Sequence, residues 1–261
     1  MRLRALAGMV ACVVMLGSAA WADPDSTLTN PVSESWLGKA DVLYIGDSES
    51  LGYFGDGIYR AMTGKKDPKS GQPLTVWSYW TCGSDVTSWL IHARTVCGIR
   101  TCNTSGHCAR DHGNNDGPAK VAYGPIRTYL DAVRPRVTVI SLGTNFLTAH
   151  EFKYKEPYQF YLDRVATMVR QVKESGSRCI WIGPPQVGEK TRNAAGYATF
   201  IADLKRTVET GGGSFIDSAP LSDRKYVLSR DSEGTHYQGE GEKKWAAAVW
   251  KELAQVLDRN L

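Results

Sequence analysis

The sequence lacks the features that mark several large classes of protein. After residue 22 no window reaches eighteen unbroken apolar residues, which argues against a membrane-spanning helix. No block rich in lysine and arginine follows either, and a formal net charge of +4 over 261 residues is small. The sequence therefore lacks the basic patch that nucleic-acid-binding proteins usually carry. There are no internal repeats, and 42% hydrophobic with 22% charged residues is typical of one globular domain rather than a disordered or fibrous chain.

The first 22 residues, MRLRALAGMVACVVMLGSAAWA, have the pattern of a secretory signal peptide. Two arginines precede a largely apolar run, Ala5 to Leu16, which is too short to span a bilayer. The segment ends in Ala20-Trp21-Ala22, the small-x-small pattern that signal peptidase cuts. We therefore expect cleavage, an N-terminal arm over residues 23–38, and an exported protein that is periplasmic or extracellular. Because the signal holds two arginines and no acid, its removal lowers the formal charge to about +2.

Five cysteines follow the signal segment, and an oxidising compartment favours disulfides. Cys179 lies in the apolar run 178–182, so we expect it to be a buried free thiol. The other four would form two bridges, with three connectivities possible: Cys82, Cys97, Cys102 and Cys108. An alternative is a zinc site of suitable ligand types, although the spacing matches no common zinc pattern: Cys102, His107, Cys108 and His112.

Short apolar runs alternate with segments of helical periodicity along the chain. This alternation predicts one α/β domain, residues 39–261, around a mainly parallel sheet. The runs that predict strands are 41–45, 74–80, 137–142, 179–182 and 214–217, and the segments that predict helices are 51–62, 121–133, 157–173, 194–209 and 241–257. Residues 95–118 hold three cysteines and no periodicity, which indicates a stapled functional insertion rather than a linker.

Loops that follow the first three predicted strands carry polar residues with chemical potential. In a parallel sheet these loops meet, because ligands bind outside the carboxyl ends of the strands. They hold Gly46-Asp47-Ser48, Gly83 and Gly143-Thr144-Asn145. Ser48, between a strand and a helix, is well placed for nucleophilic attack, since helix amides favour negative charge there. A helix N-cap is the alternative interpretation of the same serine.

A nucleophilic serine needs a base, and the base needs an acid that orients it. His236 lies in a polar loop before the final helix, with Glu233 three residues and Asp231 five residues upstream. A carboxylate at that spacing could fix the imidazole tautomer, while a surface histidine is the alternative. The remaining histidines have no distinctive setting: His92, His107, His112 and His150. The third requirement is an oxyanion hole, for which the amides of Ser48 and Gly83 and the side chain of Asn145 are candidates.

These blocks, in this order, resemble the SGNH, or GDSL-like, hydrolase superfamily over about residues 39–257. The resemblance implies a three-layer α/β/α fold with a flavodoxin-like, mainly parallel sheet of about five strands. It also implies a serine esterase without metal or cofactor, with Ser48 as nucleophile, His236 as base, and Ser48, Gly83 and Asn145 around the oxyanion. One position departs from the family pattern, because Glu233 stands where the family usually has aspartate. Its position favours Glu233 as the orienting acid, with Asp231 as the rival.

The predicted export signal and the resemblance to SGNH hydrolases together predict a carboxyl-ester hydrolase that removes O-acetyl groups from a cell-wall or extracellular polysaccharide. The alternatives are a lipase or thioesterase for longer acyl chains, and a non-catalytic glycan-binding protein on the same fold. No nucleic-acid partner is expected, and the oligomeric state stays open. Aromatic residues near the predicted cleft could stack on sugar rings or pack in the core: Tyr53, Trp77, Trp80, Trp89 and Tyr237.

Overall fold

A computed structural model of the chain describes residues 39–95, 97–111, 122–148, 155–188, 196–228 and 234–261. The predicted signal peptide and N-terminal arm lie outside these residues. So do His112, His150, Asp231 and Glu233. No helix in the described part of the chain is long and apolar enough to cross a bilayer.

Nine strands form two sheets in the described residues. The larger sheet has the order β5-β4-β2-β1-β7-β8-β9, and the smaller one pairs β3 with β6. In chain order the strands are β1 (Val42–Gly46), β2 (Val76–Thr81), β3 (Ala93–Arg94), β4 (Ile99–Cys102), β5 (Cys108–Asp111), β6 (Ala122–Tyr123), β7 (Val137–Ser141), β8 (Arg178–Ile182) and β9 (Ser214–Ile216).

The five strands predicted from the sequence form the parallel part of the large sheet. Strands β2, β1, β7, β8 and β9 lie side by side in that order, and every adjacent pair is parallel. All residues of β1, β2 and β7 are buried. Continuous burial is expected of parallel strands covered by helices on both faces, and it explains why these runs are mainly apolar and lack a charged residue on either face.

Helices cover both faces of the sheet, which confirms the predicted three-layer α/β/α architecture. They are α1 (Tyr53–Gly64), α2 (Ile126–Val133), α3 (Thr144–Thr148), α4 (Lys155–Glu174), α5 (Tyr197–Thr210) and α6 (Gly239–Asn260). One core lies between the sheet and α2, α4 and α5. The other lies between the sheet and α1 and α6, where Phe54 stacks on Trp245 with ring centroids 3.6 Å apart.

The predicted count of about five strands is too low, because the cysteine-rich insertion contains a β-hairpin. Strands β4 and β5 pair antiparallel, and β4 adds antiparallel to the edge strand β2. Each strand is only four residues long, and β5 carries charged residues, so no alternating apolar pattern marks it in the sequence. The prediction of a stapled insertion agrees with this hairpin, although its strands were missed.

Disulfides hold the hairpin at two points, and they settle the connectivity that the sequence left open. Cys82 is bonded to Cys97, and Cys102 to Cys108. The zinc alternative is wrong, since two of its four ligands are consumed by the second bridge. The described residues contain no group of three potential metal ligands. Cys179 is free and buried, as predicted, and burial raises the pKa of its thiol to about 12.

Candidate active site

Ser48 stands where the first parallel strand ends and a short 3-10 turn, Ser48–Leu51, begins. The carboxylate of Asp47 caps this turn, because its Oδ1 accepts a hydrogen bond of 3.0 Å from the backbone N–H of Glu49. Asp47 and Glu49 are buried on either side, while Ser48 is half-buried. The serine hydroxyl is therefore held on a rigid turn and remains within reach of a substrate.

The glycine before this turn is required by close packing. A Cβ atom at Gly46 would lie 2.1 Å from the hydroxyl oxygen of Ser50, a separation that real Cβ atoms do not show. The backbone N–H of Asp47 also donates to the carbonyl of Ser141 at the end of β7, over 3.3 Å. The sharp exit of the chain from β1 is thus fixed both by the absence of a side chain and by a bond to the neighbouring strand.

His236 lies in the loop before α6, which a short ladder of backbone bonds holds in place. The carbonyl of His236 accepts from the N–H of Leu228 at 2.8 Å, and the N–H of Gln238 donates to Tyr226 at 2.7 Å. The hydroxyl of the buried Tyr237 donates to the carbonyl of Gln186 at 2.7 Å. This support brings the imidazole Nε2 of His236 within 3.2 Å of Ser48 Oγ, across 188 residues of sequence.

The loop after β2 presents Gly83 in the left-handed backbone region, with φ of 70°. Its neighbour Cys82 is anchored twice, by the disulfide to Cys97 and by a 2.7 Å hydrogen bond from the Thr95 hydroxyl to the Cys82 carbonyl. Because glycine adopts positive φ without steric strain, it suits this tight turn. The exposed Gly83 is therefore carried on a loop that the disulfide holds.

Asn145 follows β7 and meets the loop after β2. Its Nδ2 donates to the carbonyl of Ser84 at 2.7 Å, and the Ser84 hydroxyl reaches the carbonyl of Gly46 at 3.5 Å. Ser84 therefore links the ends of all three strands that the sequence predicted to converge. An amide nitrogen carries two hydrogens, so the bond to Ser84 uses one of the two donors of Asn145.

Asp47 has an unusual protonation equilibrium for an aspartate. Burial raises the pKa of its carboxyl to about 7, although the backbone N–H groups of Glu49 and Thr144 and the nearby His236 act in the opposite direction. The carboxyl beside the serine is thus partly protonated at neutral pH. Its influence on the charge around Ser48 changes in the physiological range.

Glu49 is a residue of this site that the sequence analysis missed. Its side chain is 2% exposed, and one carboxylate oxygen lies 3.9 Å from Nε2 of His236. The triad acid bonds the other ring nitrogen, Nδ1, so Glu49 faces the wrong edge of the imidazole for that role. Its position does place a carboxyl group beside the nitrogen that faces Ser48. Adjacency to Ser48 in the sequence was the available signal, but an acid within a turn is ordinarily solvated.

Other predicted residues do not contribute to this cluster. His92 and His107 are exposed. The suggestion that aromatic residues near the cleft stack on sugars is wrong for four of the five, because they are buried in the core with 7% exposure or less: Trp77, Trp80, Trp89 and Tyr237. Only Tyr53, at 54% exposure, presents its ring to solvent.

The parallel strands have a flavodoxin-like order, with Ser48 after the first strand and His236 before the last helix. Comparisons with known proteins show the same fold. A family described as a protein of unknown function (DUF459) matches residues 124–252, just under half of the chain. No curated protein matches the sequence.

Solved structures of three similar proteins cover most of this chain. A peptidoglycan O-acetylesterase is 13% identical, with a TM-score of 0.52 over 87% of this chain and 94% of its own. A putative acylhydrolase from Bacteroides fragilis is 14% identical, with a TM-score of 0.54 over 86% and 93%. An acetylxylan esterase from Geobacillus stearothermophilus is 14% identical, with a TM-score of 0.52 over 84% and 96%; its structure is that of a catalytic mutant in which alanine replaces a serine. The chain therefore has the SGNH hydrolase fold.

Proposed function

We propose that the protein is a serine esterase that hydrolyses carboxyl esters, with O-acetyl groups on a cell-wall or extracellular polysaccharide as its substrate. The observation that carries the proposal is the 3.2 Å separation between Ser48 Oγ and His236 Nε2, within hydrogen-bond reach. A serine and a histidine this close, at the carboxyl edge of the sheet, form the nucleophile–base pair of acyl transfer. The similarity to acetylesterases of this fold supports the choice of acyl group.

In the proposed mechanism Ser48 Oγ attacks the ester carbonyl while His236 Nε2 takes its proton. The tetrahedral intermediate collapses to an acyl-enzyme as the imidazolium returns that proton to the leaving alcohol. Water, activated by the same histidine, then releases the acid. The half-buried position of Ser48 suits this sequence, since the ester must reach the hydroxyl from the solvent side.

Negative charge on the intermediate would be stabilised by the amides of Ser48 and Gly83 and by the side-chain amide of Asn145. We assign the orienting acid to Glu233, with Asp231 as the rival, on their spacing from His236. Both lie outside the described residues. Glu49 would act from the other side of the ring, stabilising the positive charge that the imidazole gains when it accepts the proton.

Removal of the nucleophile tests the proposal most directly. Ser48→Ala should lower the rate of p-nitrophenyl acetate hydrolysis by about 10⁴-fold or more and abolish labelling by a fluorophosphonate probe. Ser70→Ala is a matched control, because this exposed serine lies in the loop before β2 at the opposite edge of the sheet. Equal rates in wild type and Ser48→Ala would overturn the assignment. Glycan binding without any labelling would favour the non-catalytic alternative.

A series of esters with lengthening acyl chains separates the deacetylase from a lipase or thioesterase. A deacetylase should lose kcat/KM sharply beyond the shortest acyl groups, whereas the other two classes should gain it. Retained or rising activity on long acyl chains would replace the acetyl assignment and leave the nucleophile assignment intact.

The charge assigned to Glu49 is tested by Glu49→Gln, which preserves the shape of the side chain. We expect kcat to fall about tenfold with KM nearly unchanged, since the lost interaction strengthens only when the imidazole becomes charged. Asp56→Asn, a similar neutralisation on α1, should leave p-nitrophenyl acetate hydrolysis at the wild-type level. An unchanged kcat in Glu49→Gln would remove Glu49 from the mechanism.

A further inference from the structure

A cleft of about 430 Å³ lies between helices α1 and α6 and the β4–β5 hairpin. Its lining includes Gly52, which ends the turn that begins at Ser48, and Gly239, three residues after His236. Helices α1 and α6 form one wall, and the disulfide-bonded hairpin forms the other with Arg100 and Arg110. The insertion thus contributes to a surface that adjoins the proposed reaction centre.

The two arginines are directly opposite each other in the β4–β5 register, so their side chains project from the same face of the hairpin. Like charges at such positions repel and destabilise a hairpin. Arg100 is compensated, because its guanidinium lies 2.7 Å from a carboxylate oxygen of Asp56 and 5.3 Å from the ring centroid of Trp80. Arg110 is exposed and forms no salt bridge with any carboxylate of the described residues. A local repulsion that no carboxylate of the described residues offsets is a conflict of the kind found at binding sites.

The facing wall adds an aromatic ring, Tyr53, with a lysine beside it. Tyr53 is 54% exposed, and the ammonium of Lys243 lies 4.7 Å from its ring centroid. Of the two acidic residues that line the cleft, Asp56 is paired with Arg100. Glu242 accepts a 2.6 Å hydrogen bond from the backbone N–H of Tyr53, and burial raises the pKa of its carboxyl. Arg110 is therefore the charged lining residue whose side chain has no ion pair or hydrogen bond among the described residues.

From this arrangement we infer that the cleft is a subsite for a carboxylate-bearing glycan, in which Arg110 binds the carboxylate and Tyr53 contacts the sugar ring. Guanidinium groups bind carboxylates through paired, charge-assisted hydrogen bonds, which give both strength and orientation. The inference rests on the proposed esterase function and narrows its substrate to an acetylated acidic polysaccharide. Uronic acid polymers and peptidoglycan both carry such carboxylates.

Arg110→Gln tests the subsite, with Arg170→Gln on the exposed side of α4 as a control of equal charge change. Four substrates are compared: acetylated oligouronides, acetylated peptidoglycan fragments, acetylated xylooligosaccharides and p-nitrophenyl acetate. Arg110→Gln should lower kcat/KM on the acidic substrates by about 10- to 100-fold and leave the two neutral substrates unchanged. If Arg110→Gln lowers kcat/KM on only one of the two acidic substrates, that substrate identifies which polymer supplies the carboxylate. Equal kcat/KM of wild type on acidic and neutral oligosaccharides, or no effect of Arg110→Gln, would overturn the inference.

Direct binding separates this inference from the proposed reaction. Calorimetry with deacetylated oligouronides and peptidoglycan fragments needs no turnover, so it remains informative if wild type fails to hydrolyse p-nitrophenyl acetate. Ser48→Ala should bind an acidic fragment as tightly as wild type, and Arg110→Gln should bind it at least tenfold more weakly. Wild-type affinity in Arg110→Gln would contradict the subsite even where the esterase reaction is sound.

Discussion

The rim around Ser48 and the hairpin β4–β5 are assembled by different means. At the rim, loops from three parallel strands are joined by short hydrogen bonds, such as that from Asn145 to Ser84, and the strands that carry them, β1, β2 and β7, are fully buried. The hairpin is attached to one edge of that sheet and is held by two disulfides. The rim is thus a product of the fold itself, whereas the hairpin is an addition that covalent bonds secure. In our proposals the rim supplies the chemistry and the hairpin selects the substrate.

The largest effect expected at the rim, after loss of Ser48, comes from the oxyanion hole. Asn145→Ala should reduce kcat on p-nitrophenyl acetate by about 10²- to 10³-fold with little change in KM, because its side-chain amide is proposed to act on charge present only in the transition state. Steady-state kinetics measure this, with Gln159→Ala on α4 as a control that also removes an amide. A rate within about threefold of wild type would take Asn145 out of the proposed oxyanion hole.

The two disulfides allow the two regions to be perturbed separately. Replacing Cys82 and Cys97 by serine should lower the free energy of unfolding by about 3 kcal/mol, and the same change at Cys102 and Cys108 by about 2 kcal/mol, because the first bridge closes the longer loop. Only the first should also slow p-nitrophenyl acetate hydrolysis, since it holds the Gly83 loop. Denaturant unfolding and kinetics test both. Equal losses of neutral-ester activity in the two variants would erase the proposed division between rim and hairpin.

The smallest effect concerns the buried Asp47 at the rim. Its pKa is about 7 in the folded protein against 3.8 in the unfolded chain, so the folded state binds more protons between these values. Stability from this group is present below pH 3.8 and is lost as the pH rises toward 7 and above. Between about pH 5 and 7 this amounts to about 2 kcal/mol.

Asp47→Asn should remove that loss and flatten the pH dependence of the free energy of unfolding, because the amide oxygen can still cap the turn. Urea unfolding at several pH values between about 5 and 7 measures this pH dependence. The exposed Asp131→Asn is the control, since it should leave the wild-type profile unchanged. A wild-type profile that rises with pH in this window would contradict the assignment to Asp47.

Much of the fold follows from local patterns. The helical spacing of Phe54, Ile58 and Met62 predicted a helix whose apolar face is buried, as all three are. The apolar runs predicted the parallel strands for the same reason, since burial on both faces demands them. The hairpin escaped prediction because its strands are short and half-exposed, so burial imposes no pattern on them. The buried aromatic residues were misjudged because position near a loop does not reveal which way a side chain points.

The sequence by itself determined the layered α/β architecture and the order in which Ser48, Gly83, Asn145 and His236 reach one edge of the sheet, because apolar periodicity and turn residues are local properties of the chain. Only the tertiary structure decided that His236 Nε2 faces Ser48 at 3.2 Å, that Glu49 is buried beside them, and that two arginines share one cleft. Distance and burial depend on how segments far apart in sequence pack together. That packing is set by the whole core rather than by any one segment.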